Sequence, residues 1–391
     1  MSQPIPKKVQ ASNPILCNKT FNTLLIDGSN LLEVCFSADR TLSSSGKQVG
    51  GIFSFFVQLK LLLKKGNFRY VYVFWDGDQS GIERAKLYSQ YKMNRDKNYD
   101  IDICDGEKSD YMKEVDARIK SMQNYFFNKK DPKKSAEKQK EKEIFYWQRS
   151  VIIDCLEELF IRQVLCDEIE ADDFIGYYVT HKKPNERIVI VSNDRDLTQL
   201  ISDDVIVYVQ SMKDFLTKKN HTAVMGYNYK NVVLKKVLCG DSSDNIKGIK
   251  GLGETTLLKN FPEFKEREVL LEEVVDKARQ INEDRAKNKK KPLKWAENIV
   301  NRITDGVQGD KIYEINEKII DLRHPLMNDE AVELIDGMMY SPIDPENRTL
   351  SNLYDIFLKN GVDSFRDENH FSNFFTDFMY VIEKERKNEP I

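Results

Sequence analysis

Short runs of β-branched and aromatic residues punctuate the first half of the chain: Thr23–Ile26, Tyr70–Trp75, Ile188–Val191 and Val205–Val209. Most end directly in acid or turn residues, as in Asp27-Gly28, Asp76-Gly77 and Ser192-Asn193-Asp194. Apolar runs this short, bounded by turns, read as strands buried on both faces of a parallel sheet. Between them, helical spacing of apolar residues covers Ile52–Lys64, Ile144–Ile161 and Ala171–His181. Strands alternating with helices predict an α/β domain wound around that sheet. From about Tyr229 the texture changes to helices and loops, with no strand series and no fixed-period repeat. The expected organisation is a polar tail over 1–20, an α/β domain over 21–222 and a mainly α-helical region over 223–391.

One segment breaks the pattern. Residues 78–145 are far longer than a crossover needs, carry few periodic apolar positions and are rich in Lys, Asp, Asn and Tyr. An insert this long is usually functional or disordered, and composition alone leaves both readings open.

Composition narrows the class. Apolar residues make up 40% and charged residues 31%. No apolar run approaches the ~18 residues a membrane span needs. The best stretch, Ile52–Leu63, is broken by Gln58 and Lys60. The polar, proline-containing start lacks the apolar core of a secretory signal, so the cytoplasm is expected, that of a bacterial host if the chain is phage-encoded. The six cysteines are scattered without a C-x-x-C pair and read as small hydrophobes in a reducing compartment. The net charge of −3 argues at first against nucleic acid. The distribution argues the other way. Residues 285–294 carry six positive charges and no acid, and 129–142 carry seven lysines against three acids.

The acids cluster elsewhere. Asp27, Asp76 and Asp194 each follow the carboxyl end of a predicted strand, so one parallel sheet brings them to one edge, where open α/β sheets bind ligands. Glu170, Asp172 and Asp173 open a helix entered from the short apolar run Val164-Leu165, and Asp196, Asp241 and Asp244 complete the set. Singly, each is an ordinary turn or an acidic first helical turn. Together they need cations, because like charges ~4 Å apart repel by about 4 kcal/mol at an effective dielectric of 20. Oxygen-only ligation selects hard ions, Mg²⁺ or Mn²⁺. Two such ions ~3.5–4 Å apart activate water and stabilise the leaving oxygen of a phosphodiester. Without these nine acids the net charge moves from −3 to +6, so the rest of the molecule is basic, as a nucleic-acid binder should be.

Residues 246–253 read Ile-Lys-Gly-Ile-Lys-Gly-Leu-Gly, between an amphipathic stretch Val232–Cys239 and a helical stretch Glu254–Asn260. Glycines at 248, 251 and 253 permit tight turns and close backbone approach, and the helix that follows offers free N–H groups to an anion.

In order and spacing over about 21–260, these elements resemble the flap endonuclease/5′-nuclease family, above all its phage 5′-exonuclease and phage ribonuclease H types. The resemblance implies a parallel-sheet nuclease domain whose insert at 78–145 forms a helical arch, then a helix–three-turn–helix motif and a mainly α-helical carboxyl-terminal domain. It implies a metal-dependent 5′-3′ exonuclease or flap endonuclease using two Mg²⁺ or Mn²⁺ ions. Asp27, Asp76, Glu170 and Asp172 would hold the first ion, with Asp173 beside them. Asp194, Asp196, Asp241 and Asp244 would hold or orient the second. Arg84 and Lys92 would contact the scissile phosphate, Tyr91 would stack on a terminal base, and Arg95 belongs to the same basic segment. Lys247, Gly248, Lys250, Gly251 and Gly253 would grip duplex DNA, with K⁺ an optional ion there. The implied partners are DNA with 5′ single-stranded or flap ends, optionally an RNA–DNA hybrid and a single-strand-binding protein, for a monomer off the membrane. The long insert and residues 263–310 depart from the compact members. Two rivals are a haloacid-dehalogenase-like phosphatase, imitated by Asp76-Gly77-Asp78-Gln79-Ser80, and a non-catalytic junction-binding protein of the same fold.

Overall fold

The computed structural model describes residues 21–93, 132–304 and 311–387. Six strands form one sheet: β1 (Thr23–Asp27), β2 (Tyr70–Trp75), β3 (Arg162–Leu165), β4 (Ile188–Val191), β5 (Val205–Val209) and β6 (Asp214–Leu216), in the order β3-β2-β1-β4-β5-β6. The first five run parallel and β6 closes the edge antiparallel. Strand order reverses between β1 and β4, and such a switch point opens a crevice at the carboxyl ends of the strands. Asp27 lies at that point on β1, and Ser192 follows β4 beside it.

The helices named here are α1 (Gly28–Ala38), α2 (Gly50–Leu63), α3 (Ile82–Leu87), α4 (Pro132–Glu158), α5 (Ala171–His181), α6 (Val232–Cys239), α7 (Glu254–Asn260), α8 (Leu271–Lys287), α9 (Lys294–Val300), α10 (Lys311–Ile320), α11 (Asp329–Met338), α12 (Leu350–Lys359), α13 (Glu368–Phe375) and α14 (Met379–Lys387). Alternation along the strands sends side chains to two cores. Leu24, Ile26, Val71, Val73 and Trp75 meet Phe55, Phe56 and Ile152 of α2 and α4 on one face. Leu25, Tyr72 and Phe74 meet Phe174, Ile175 and Tyr178 of α5 on the other. A third core joins Leu238, Leu257, Ala278, Ile299 and Ile312 of the helical region to Tyr88 and Tyr91.

Neither α11, whose Ala331 and Ile335 lie in the second core, nor the chain after it stays with that third core. Phe357, Phe365, Phe371, Phe375 and Phe378 return to the first core beside α2. Glu385 on α14 is buried and pairs with Arg162 of β3 and with Arg69, 3.2 Å away, which fastens the last helix to the sheet. Residues 353–382, assigned from sequence to a carboxyl-terminal region, thus share a core with β1 and β2. Among the described residues no helix is long and apolar enough to cross a membrane.

Candidate active site and metal centre

Asp27 ends β1 and caps α1. One carboxylate oxygen accepts from the Asn30 N–H and the other from the Ser192 hydroxyl, each at 2.9 Å. Asp76 leaves β2 next door, its Oδ1 accepting from the Ala171 N–H at 2.9 Å, which ties β2 to the first turn of α5. Asp172 sits in that turn, half-buried. Asp194 follows β4, and its Oδ1 accepts from the Asp196 N–H at 2.8 Å.

These acids feel one another strongly. Burial, then Asp76, push the Asp27 carboxyl up to about 8, although the bonds from Asn30 and Ser192 pull it down. Burial, with Asp194, Asp27 and Asp76, drives Asp172 well above the ordinary carboxylate range. Carboxyls that burial and neighbouring acids push toward the protonated form, as Asp27 and Asp172 are pushed, are groups that cations can neutralise instead. Asp194 acts both on Asp172 and on Asp196, so it stands between this group and the second set, with which the family resemblance places it.

A second set lies alongside. Ligand oxygens of Asp196, Asp241 and Asp244 all come within 4.8 Å of one another. With Asp194, Lys235 and Lys236 they line a cleft of about 400 Å³. Lys236, on the last turn of α6, places its ammonium between Asp196 and Asp241 and bonds to both. Burial and Asp194 push Asp196 up to about 6, with Lys236 pulling against them. Asp241 is held down to about 2: burial opposes this, but Lys236 and the Ser243 donors outweigh it.

Two acids expected at the first ion are otherwise engaged. Asp173 receives a two-pronged contact from the Arg84 guanidinium, one arm at 2.9 Å, and a bond from the Leu326 N–H at 3.0 Å. Glu170 accepts from Arg84 and from the Tyr91 hydroxyl, both at 2.9 Å, and pairs with Lys92. Arg84 also gives its Nε–H to the Ile319 carbonyl at 2.9 Å and is only 5% exposed. The guanidinium expected at the scissile phosphate is here engaged by protein groups instead. A guanidinium enclosed by two carboxylates and a carbonyl is a strut between the sheet and the helical region. Tyr91 is likewise 3% exposed, with its ring in the third core, so the expected stacking face is covered.

Lys92 is placed differently. Glu170 holds its ammonium well above the ordinary lysine range against the opposing effect of burial, so it stays charged. Of its three N–H donors, Glu170 takes one. Arg95 lies outside the described residues.

The glycine-rich turn is built from close contacts. Gly240–Asp241 pairs antiparallel with Ile246–Lys247. A Cβ on Gly248 would fall 2.2 Å from the Cys239 carbonyl carbon, so only glycine lets the two segments meet. Gly251 has φ +82°, in the left-handed region, whereas a Cβ on Gly253 would meet open space. Lys247 and Lys250 are exposed beside them.

Several participants carry no signal in the sequence. Lys236 is one of several lysines on a helix, and only tertiary packing selects it. Arg149 of α4 donates to the Asp76 carbonyl at 2.8 Å and to Asp78 at 3.1 Å, at the rim of the acid cluster. Ser192 and Asn30 look like plain turn and cap residues.

The family model for the 5′-3′ exonuclease N-terminal resolvase-like domain matches residues 22–229. A 5′-3′ exonuclease of Halalkalibacterium halodurans is 27% identical over 65% of this chain and 73% of its own length. DNA polymerase I of Bacillus subtilis is 33% identical over 32% of this chain, which spans 15% of that protein. Among solved structures, a bacteriophage T5 5′-exonuclease with bound zinc ions shares the fold at a TM-score of 0.54 and 15% identity, over 92% of this chain and 99% of that one.

Proposed function

The chain belongs to the 5′-3′ exonuclease family and is a 5′-nuclease, and we propose that it hydrolyses phosphodiester bonds at 5′ ends, flaps or RNA primers during DNA replication. The observation that carries this is the juxtaposition of Asp27, Asp76 and Asp172 at the sheet's switch point with Asp196, Asp241 and Asp244 alongside, Asp194 standing between them. These donors fit divalent ions, because they are all oxygen and their mutual repulsion calls for positive charge. Two Mg²⁺ or Mn²⁺ ions bound there would activate water and stabilise the leaving oxygen, in the two-ion mechanism typical of the family. Lys92 supplies a fixed positive charge beside that centre, suited to a non-bridging phosphate oxygen. Arg84 orients Glu170, and Glu170 in turn positions Lys92. A 5′-phosphate product is expected.

Gly248–Gly253, with Lys247 and Lys250, grips one strand of duplex DNA through backbone N–H groups, K⁺ being the monovalent ion suited to that turn. Such contacts carry no base information, so binding is salt-sensitive and indifferent to sequence. In this reading the protein acts as a monomer in the cytoplasm, on ends that a single-strand-binding protein also covers.

The test sets 5′-labelled flap, nicked duplex and RNA–DNA hybrid side by side with Mg²⁺, Mn²⁺ or EDTA. Cleavage of at least one substrate with either ion, abolished by EDTA and by Asp76→Asn while DNA binding survives, is the expected result. Full activity in EDTA, or unchanged cleavage by the variant, defeats the metal assignment. Binding without cleavage of any substrate restores the junction-binding reading.

A further inference from the structure

We propose that the basic tip joining α8 to α9, residues 285–294, is a second duplex-binding surface that takes the phosphate backbone beyond the glycine-rich turn. The proposal rests on the 5′-nuclease reading above and extends its DNA footprint. Four observations carry it.

The first is charge without compensation. Arg-Ala-Lys-Asn-Lys-Lys-Lys-Pro-Leu-Lys holds six cations and no acid. Flanking cations have partners: Arg279 pairs with Asp276 at 2.7 Å, Lys287 with Asp284 at 3.2 Å and Lys294 with Glu297 at 3.7 Å. Lys289, Lys290 and Lys291 are exposed and have no acid partner among the described residues. A merely solvated face would interleave signs as the rest of α8 does. Three adjacent unpaired lysines repel one another, and an anion relieves that repulsion.

The second is that the tip is built. The Arg285 Nε–H donates to the Lys291 carbonyl at 2.7 Å, and the Lys290 N–H donates to the Arg285 carbonyl at 2.8 Å. Just below, Leu293 and Asn282 exchange a pair of bonds at 2.7 and 3.2 Å. The backbone beneath the lysines is therefore fixed before any ligand arrives, which lowers the ordering cost of binding.

The third is attachment to the turn that grips DNA. The Asn298 amide donates to the Lys250 carbonyl at 2.7 Å, and the Lys250 N–H donates to the Ile303 carbonyl at 2.9 Å. The Cβ of Trp295 lies 3.9 Å from where a Cβ on Gly251 would stand. Ala296 and Ile299 share one core with Ile249 and Leu252, so tip and turn move together.

The fourth is reach. Lys291 and Lys289 precede Trp295 by four and six residues. At no more than about 3.5 Å per residue, they stand within roughly 14 and 21 Å of the turn. At about 3.4 Å per base pair, that reach extends the duplex contact by at most roughly four to six base pairs. Evenly spaced phosphates match unpaired lysines on a rigid tip, and no base is read.

The experiment compares the full chain with the triple variant Lys289→Ala, Lys290→Ala, Lys291→Ala, none of them in the catalytic machinery. Equilibrium binding is followed against salt on flap substrates whose duplex arm ends at the turn or runs about six base pairs past it. On the long arm the variant should bind roughly tenfold or more weakly at low salt. Its log–log salt slope there should be smaller by about 2 to 3, at ~0.9 for each phosphate no longer neutralised. On the short arm the two proteins should bind alike, with equal cleavage rates at saturating substrate and equal melting temperatures. Equal salt slopes on the long arm overturn the proposal, as does an equal loss of affinity on both arms, which would mean only a general attraction. Failure of the underlying reading looks different: the parent protein itself would cleave none of the 5′-labelled substrates.

Discussion

The backbone N–H of Lys92 donates to the carbonyl of Asp244 at 2.9 Å, so the base of the long insert and an acid of the second carboxylate set are one mechanical unit. Asn245 reinforces the joint by donating its amide to the Gln90 carbonyl at 2.7 Å. Lys92 itself has φ 51°, a left-handed conformation a lysine does not choose freely, held here by this bond and by Glu170. Residues 90–92 and the Asp244 edge of the second carboxylate set are thus held together.

Two neighbouring cations should therefore respond differently to removal. Lys92→Ala should cut the cleavage rate by about an order of magnitude or more, since in the proposed mechanism it removes a charge beside the reacting phosphate. Its melting temperature should fall less than that of Arg84→Ala. Arg84→Ala strands Asp173 and Glu170 in the interior and should cost on the order of 3–5 kcal/mol. Thermal unfolding and single-turnover cleavage of both variants check this. A stable Arg84→Ala protein that binds DNA but cannot cleave would return Arg84 to the phosphate.

Much of this is legible in the sequence, and the reasons for the rest are physical. Strands buried on both faces announce themselves as apolar runs, so β1, β2, β4 and β5 stand out in the bare sequence. β3 has only Val164-Leu165 as an apolar signal, because Arg162 and Gln163 turn polar groups toward Glu385 and Trp75. β6 is too short to show a period. The acids can be found because strand ends gather them, but not which of them are consumed by ion pairs. Nothing local distinguishes Asp172 from Asp173. The partner that does, Arg84, lies 89 positions away in the chain.

The pH dependence of stability follows from the first set. Asp27 and Asp172 have raised pKa values in the folded protein, and Asp27 titrates near 8. The folded state therefore holds more protons than the unfolded chain between about pH 4, where a free Asp titrates, and pH 8. Stability from these groups is present at acidic pH and lost as pH rises through that window. Without divalent ions, the melting temperature should fall from pH 5 to pH 8, because folding must then take up a proton at Asp27 that the unfolded chain has lost. Adding Ca²⁺ should reverse the loss, and do so more strongly at the higher pH. Asp241, held near 2, has the opposite sign and matters only in strong acid. A metal-free melting temperature that rises over the same range would contradict the account.

The glycines of the turn separate structure from contact. Gly251→Ala places a Cβ at φ +82° and should cost roughly 1–2 kcal/mol of stability. Gly253→Ala meets open space and should leave the melting temperature unchanged. If the turn lies against a phosphate backbone, Gly253→Ala should still weaken duplex binding, because the new methyl stands where the DNA must approach. Duplex affinity of the Gly253→Ala protein is the decisive measurement, and parental affinity would move the grip away from this position.

Lys236 gives the last prediction. Its ammonium lies between Asp196 and Asp241, where it serves as a resident cation for the second carboxylate set. A divalent ion drawn to Asp196, Asp241 and Asp244, whose oxygens lie within 4.8 Å of one another, would meet that charge first, so in the proposed mechanism the ammonium opposes loading. Lys236→Met keeps most of the length of the side chain and removes its charge. In metal-free protein the variant should melt lower, because Asp196 and Asp241 lose their counter-charge. With Ca²⁺, which reports binding without turnover, the variant should gain more stability than the parent at equal ion concentration, since a ligand that binds the folded state stabilises it in proportion to the logarithm of its affinity. The two effects have opposite signs in one protein, which separates them from a general packing defect. An equal or smaller Ca²⁺ gain would mean that the ammonium helps to hold the ion, and Lys236 would then be part of the loaded site.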